Sequence, residues 1–207
     1  MWSWLSVALS GFISVSANES NNKAQAVVFK TLSMVFLLAM IWNVPGEMSA
    51  AMSWIASGLI VSVLADTFYI LKNHSRLSFI AFLLAQLCYS KAFWLQISGD
   101  IVWWLPALLV ASGIVLFFLL LPQLDRLIFP VTMMGVVLVQ LAWAAGENWL
   151  IQQSLASSLG FIGAIVLIAS AGMLAIHDYR KPFRCGRYLI SGSYLLAHSL
   201  ITASVVL

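Results

Sequence analysis

Residues 48–71 read MSAAMSWIASGLIVSVLADTFYIL, an apolar run whose one charged side chain is Asp66. As a helix rising 1.5 Å per residue the run is about 36 Å long, enough to cross the roughly 30 Å of hydrocarbon in a bilayer. It is bounded by Asn43-Val44-Pro45-Gly46-Glu47 before it and by Lys72 to Arg76 after it. Those breakers and charges stop an apolar helix at both ends, so the run reads as a transmembrane helix.

The rest of the chain repeats this pattern. Of 207 residues, 62% are hydrophobic and 8% are charged, with a mean hydropathy of +1.00. A soluble domain is about 25% charged, so an ordinary water-exposed surface is excluded. Disorder, coiled coil and a disulfide-rich secreted scaffold are excluded as well. Apolar runs read against their breakers give spans near 2–17, 25–43, 48–71, 77–97, 101–121, 127–147, 155–176 and 188–207. The expected fold is all-α, a polytopic transmembrane bundle of about eight helices with short links, forming a single transmembrane domain over 1–207. The first run is short and Ser-rich but lacks a basic region in front of it, so it reads as a retained helix and not a cleaved signal.

The formal net charge of +3 and the pI near 9.0 do not point to nucleic acid, because the basic residues are scattered over links and form no patch. They encode orientation instead. The first, third, fifth and seventh links hold Lys23; Lys72 and Arg76; Arg126; and Arg180, Lys181, Arg184 and Arg187, which is eight of the ten basic residues. Positive-inside logic places these links in the cytosol and both termini outside it, as in a protein of the bacterial inner membrane. The nine tryptophans fall toward the opposite ends of the same spans. An odd number of spans would scramble both segregations. Cys88 and Cys185 are too few for a disulfide framework and lack metal-ligand spacing. Ala156, Gly160 and Ala164 form a small-residue row on the seventh span, suited to close helix contact.

Lys30, Lys91 and Asp66 lie inside spans, where a charge at the helix centre costs roughly 2.5–3.5 kcal/mol. Lys30 sits about five residues into span two and Asp66 about five residues before the end of span three. Both are then roughly 8 Å below one surface, and the intervening turn makes the two helices neighbours. Ser170 and Tyr194 come to a similar depth from spans seven and eight, with Gln86, Tyr89 and His198 somewhat deeper. Polar groups from five helices thus converge on the cytosolic half, the pattern of a cavity. Plainer readings stand beside it: Lys30 snorkelling to the interface, an inert Lys30–Asp66 pair, a hydrogen-bonded core His198, and Gln86 and Ser170 as interhelical hydrogen bonders. Lys91 and Glu147 read as interfacial or locally paired. Three dispersed histidines make no metal site, and no GxSxG, HExxH or phosphate-cradling loop is present. No cofactor or metal is expected.

Phe29-Lys30-Thr31-Leu32, Leu64-Ala65-Asp66, Ala81 through Gln86 to Tyr89, Gly146-Glu147 with Trp149, Gly163-Ala164 through Ser170, and Tyr194 to His198 resemble, in order and with compatible spacing, the YhhN family. That family of eight-span membrane proteins includes the lysoplasmalogenases. The resemblance implies a hydrolase that cleaves the vinyl-ether bond of a lysoplasmalogen to a fatty aldehyde and a glycerophospho-head-group product. Lys30 and Asp66 match the family pattern. Thr31 replaces its proline, Ala65 its glycine, Gln86 its histidine and Ala171 its second aspartate. The chemistry needs acid, because a vinyl ether hydrolyses by protonation at carbon and capture of the resulting cation by water. Asp66, His198 and Tyr194 are the candidate catalytic residues, and Lys30, Gln86, Tyr89 and Ser170 the candidate substrate-binding ones. The expected partners are a lysophospholipid substrate and membrane lipid, with the oligomeric state left open. The replacement of ionisable groups by Gln86 and Ala171 supports an alternative, a bundle that binds or transports lysophospholipid without turnover. A proton-coupled carrier has less support, since Gly and Pro sit mostly at span ends.

Overall fold

The protein is described by a computed structural model covering residues 2–20, 22–71, 75–120, 128–179 and 186–207. Among these residues there are eight helices and no strand: α1 (Trp2–Glu19), α2 (Lys23–Trp42), α3 (Ala50–Leu71), α4 (Ser75–Trp94), α5 (Trp104–Leu120), α6 (Ile128–Gln152), α7 (Leu155–Tyr179) and α8 (Gly186–Val206). This is the expected all-α bundle. Lys72, Arg126, Arg180, Lys181, Arg184 and Cys185, used above to read links and thiols, lie outside the described residues.

Local chemistry sets several helix starts. Asn22 caps α2 by accepting the Gln25 backbone N–H at 3.3 Å, and Ser49 accepts from the Met52 N–H at 3.1 Å at the head of α3. At α7, Ser154 accepts from the Ser157 N–H while Ser157 accepts from the Ser154 N–H, each at 3.1 Å. This reciprocal arrangement satisfies two otherwise orphan donors. Gly46, at φ +111°, turns the chain between α2 and α3 in a conformation that an L side chain resists.

One helix departs clearly from its expected span. α6 continues past Glu147 to Gln152, because Glu147 and Asn148 are buried in the bundle instead of meeting water. Among the described residues, six helices, α2, α3, α4, α6, α7 and α8, are long and apolar enough to cross a membrane. α5 is a shorter apolar helix, and in α1 the serines and the terminal Asn18-Glu19 dilute the apolar residues.

Neighbouring helices pair along the chain, most closely α1 with α2, α3 with α4 and α7 with α8. The contacts run α1–α2–α3–α4–α6–α7–α8 and back to α1, with α8 also touching α2 and α3, while α5 rests outside on α6. Leu5, Leu9 and Phe12 of α1 and Leu108, Val115 and Phe118 of α5 are all more than half exposed. A soluble protein does not present apolar belts of this kind; the solvent for this surface is lipid.

Lipid tails supply no hydrophobic force between helices, so association rests on close packing and interhelical hydrogen bonds. Gly58 admits the Tyr89 ring, Gly160 the Phe93 ring, and Gly163 the Ala197 carbonyl and Ile201. The Gly160–Ala164 part of the small-residue row is buried. Ser10 meets Ser33 at 2.8 Å, Ser14 donates to the Ala26 carbonyl at 2.7 Å, and Ser78 donates to the Ala65 carbonyl at 2.9 Å. The serines that weaken α1 as a membrane span thereby tie it to α2.

Candidate functional site

Ser62 and Asp66 lie one turn apart on α3, as do Tyr194 and His198 on α8, so each pair shares one helix face. On α4, Phe82, Gln86 and Tyr89 follow the same rule at spacings of four and three. These faces meet inside the bundle, and α2 adds Lys30.

The Lys30 ammonium is 3.5 Å from Asp66 Oδ1 and 4.5 Å above the centre of the Tyr194 ring. The depth reckoning that brought Lys30 and Asp66 to one level is met by this contact. The cation is held by a carboxylate on one side and an aromatic face on the other. The Tyr194 ring lies 4.2 Å from the His198 ring and is met edge-on by Phe82. Deeper in, Tyr89 contacts His198 edge to face at 5.5 Å. Ser62 Oγ lies 3.1 Å from the Tyr89 hydroxyl and 3.3 Å from His198 Nε2. His198 Nδ1 lies 2.8 Å from the Tyr194 carbonyl oxygen, to which it donates.

Asp66, Gln86, Tyr89, Tyr194 and His198 are all buried. Among the described residues Asp66 Oδ2, Gln86 Oε1 and the Tyr194 hydroxyl have no hydrogen-bond partner, and neither do Ser90 Oγ one turn beyond Gln86, Thr202 Oγ1 one turn beyond His198, and Asn148 Oδ1 of α6. Buried polar atoms are normally paired, so this concentration between α3, α4 and α8 marks a place where a water or ligand polar group belongs. Asp66 and His198 can move protons, Lys30 can hold an anion, and the tyrosines can donate to oxygen. Among the described residues no three His, Cys, Asp or Glu side chains come together as a metal site.

Of the residues singled out from sequence, Lys30, Asp66, Tyr89, Tyr194 and His198 are brought together, and Gln86 shares their buried α4 face. Ser170 lies on the α7–α8 seam and donates to the Ile190 carbonyl at 3.0 Å, one turn before Tyr194. Lys91 is exposed. Glu147 is wholly buried and not interfacial, and of its two readings the local pairing is the one met: it accepts from Trp143 Nε1, one turn back, at 3.2 Å, and also from the Val102 backbone N–H. Its partner across the α4–α5 link is a backbone group, which a sequence does not advertise. Ser62 was missed because serine is common in helices; its position one turn before Asp66 is the signal that finds it. An open groove of about 450 Å³ lies at the other end of the bundle, between the start of α3 and the ends of α4 and α8, lined by Met52, Gln96 and Ser204 among others. It is distant from the ion pair, and the unpartnered polar atoms favour the latter as the site.

Known proteins can now be set beside this geometry. The YhhN family model matches residues 25–205. The chain belongs to the YhhN family. The matched stretch opens in α2 and closes in α8, so it contains every residue of the polar cluster. The chain is 31% identical over 210 residues to proteins named "Uncharacterized membrane protein YhhN" from Escherichia coli O6:H1, Escherichia coli O157:H7 and Shigella flexneri, with all of both chains covered. No solved structure matches the chain. Family and surface agree: this is a YhhN-family membrane protein with helices bathed in lipid.

Proposed function

We propose that this protein is a lysoplasmalogenase-like hydrolase, cleaving the vinyl-ether bond of a lysophospholipid within a single transmembrane domain. The observation that carries the reading is the Lys30–Asp66 pair with its unpartnered neighbours, Asp66 Oδ2 and the Tyr194 hydroxyl, enclosed by apolar walls. Lys30 engages the substrate phosphate and leaves the Asp66 carboxylate, which, no longer paired with a cation, takes up a proton from water as the substrate enters and donates it to the β-carbon of the vinyl ether. Water captures the oxygen-stabilised cation with help from His198 or Tyr194, and the hemiacetal collapses to aldehyde and alcohol. Gln86 and Tyr89 line the path of the substrate, whose alkenyl tail lies among side chains open to the lipid, while Ser170 is taken up by the α7–α8 seam. Lys23, Arg76 and Arg187 lie at one end of the helix bundle, which supports an inner-membrane orientation with both termini outside the cytosol.

The test is aldehyde release from a defined lysoplasmalogen by purified protein in lipid nanodiscs. Wild type releases aldehyde and Asp66→Asn does not; equal rates would remove Asp66 from the mechanism. The buried amide of Gln86, neither acid nor base and with Oε1 unpartnered, favours a second reading, a lysophospholipid-binding or transporting bundle. Saturable binding of the same lipid with no product from wild type would establish that reading and end the first.

A further inference from the structure

Most serines inside these helices bond the carbonyl one turn back, as Ser6, Ser53 and Ser57 do. Ser62 turns instead to side chains on two other helices, Tyr89 of α4 and His198 of α8. All three residues are wholly buried.

The direction of these bonds is set from the far end. A carbonyl oxygen only accepts, so the bond from His198 to the Tyr194 carbonyl puts the ring proton of neutral imidazole on Nδ1. Nε2 is then an acceptor, and Ser62 donates to it. With its own proton committed, Ser62 Oγ accepts from the Tyr89 hydroxyl. Asp66 follows Ser62 by one turn on the same face of α3, and the Tyr194 hydroxyl beside them closes no hydrogen bond among the described residues. Ser62 therefore stands between a base whose tautomer is locked by the backbone and the acid side of the site.

We propose that Ser62 is a proton-relay residue, its hydroxyl passing a proton between the water that adds to the substrate and Nε2 of His198. This rests on the vinyl-ether hydrolase reading. Asp66 gives its proton to the β-carbon, leaving a carboxylate and the substrate cation. Water oxygen bonds to that cation; one water proton passes to Ser62 Oγ as the Ser62 proton passes to Nε2, leaving a hemiacetal and an imidazolium. The reverse transfer protonates the ether oxygen as its bond to carbon breaks, and the hemiacetal hydroxyl returns its proton to Asp66. Vinyl ether and water become aldehyde and alcohol, with both side chains restored and nothing oxidised or reduced.

The experiment uses full-length protein in nanodiscs with a defined lysoplasmalogen, comparing wild type, Ser62→Ala and Ser62→Thr. Ser62→Ala loses roughly 10²-fold in kcat with KM within about twofold, and Ser62→Thr, which keeps a hydroxyl, recovers most of the rate. Nitrogen-15 NMR of wild type finds His198 protonated at Nδ1, and in Ser62→Ala the Nε2 resonance moves as its donor is lost. Should Ser62→Ala lose its monodisperse elution, Ser62→Cys, close in volume and a weak donor, carries the comparison. An active wild type with Ser62→Ala within threefold of it, a folded but inactive Ser62→Thr, or a wild-type His198 protonated at Nε2 would each overturn the relay. No aldehyde from wild type would instead bring down the hydrolase reading and the relay with it.

Discussion

Removing the Lys30 charge alone should harm the protein more than removing both charges of the pair. Lys30→Met keeps the apolar stem and deletes the ammonium, stranding a carboxylate whose side chain is 6% exposed and whose second oxygen already lacks a partner. Breaking a buried pair from one side costs about 3–5 kcal/mol. Asp66→Asn is milder, at roughly 1–2 kcal/mol, because the ammonium keeps the Tyr194 ring face and, at 15% exposed, is the less enclosed member of the pair. In Lys30→Met with Asp66→Asn no charge is left to strand, and stability should return to within about 1 kcal/mol of wild type. The coupling is then roughly 3 kcal/mol or more, far from additive. Tryptophan fluorescence during unfolding in mixed detergent and sodium dodecyl sulfate micelles measures it, and on the soluble-protein scale Lys30→Met lowers Tm by about 6–20 °C. Additive effects in the double variant, or a Lys30→Met no worse than Asp66→Asn, would refute the claim that the pair is buried and interdependent.

Three further outcomes follow from the packing. Gly58→Val puts carbon into the Tyr89 ring, two of whose atoms would lie 2.7 and 2.9 Å from the new Cβ; it should cost about 1–3 kcal/mol, whereas Gly172→Ala, facing open space, should leave the unfolding midpoint unchanged. Glu147→Ala strands the Val102 N–H and the Trp143 indole N–H, for a loss of about 2 kcal/mol and faster protease cleavage between α4 and α5, while Glu147→Gln, which keeps a carbonyl acceptor, should lose about half as much. Single cysteines at Lys23 and Ser98 should react with an impermeant maleimide from opposite faces of sealed vesicles, Lys23→Cys from the cytosolic side; labelling from one face would discard the orientation.

Hydropathy made the architecture readable because lipid imposes a long, uninterrupted apolar run on each crossing, as in residues 48–71. Lys30 and Asp66 were readable for a related reason: charge inside such a run is costly, and depth along two adjacent helices is simple counting. Rotation about the helix axis was harder to read. Ser170 shares the depth of Tyr194 but faces a carbonyl on the α7–α8 seam, and Ser62, invisible by composition, is turned into the centre by the same face that carries Asp66. Glu147 was read as a span end because charge usually ends a span; a backbone donor from the α4–α5 link let the helix continue through it.

The peripheral seat of α5 bears on how the chain is made. Its principal neighbour, α6, follows it in the sequence, so the ribosome delivers α5 before the surface that will hold it exists. Until then α5 must persist alone beside the translocon, and its freedom from charged residues between Trp104 and Leu120 suits a segment that waits in oil for its mate.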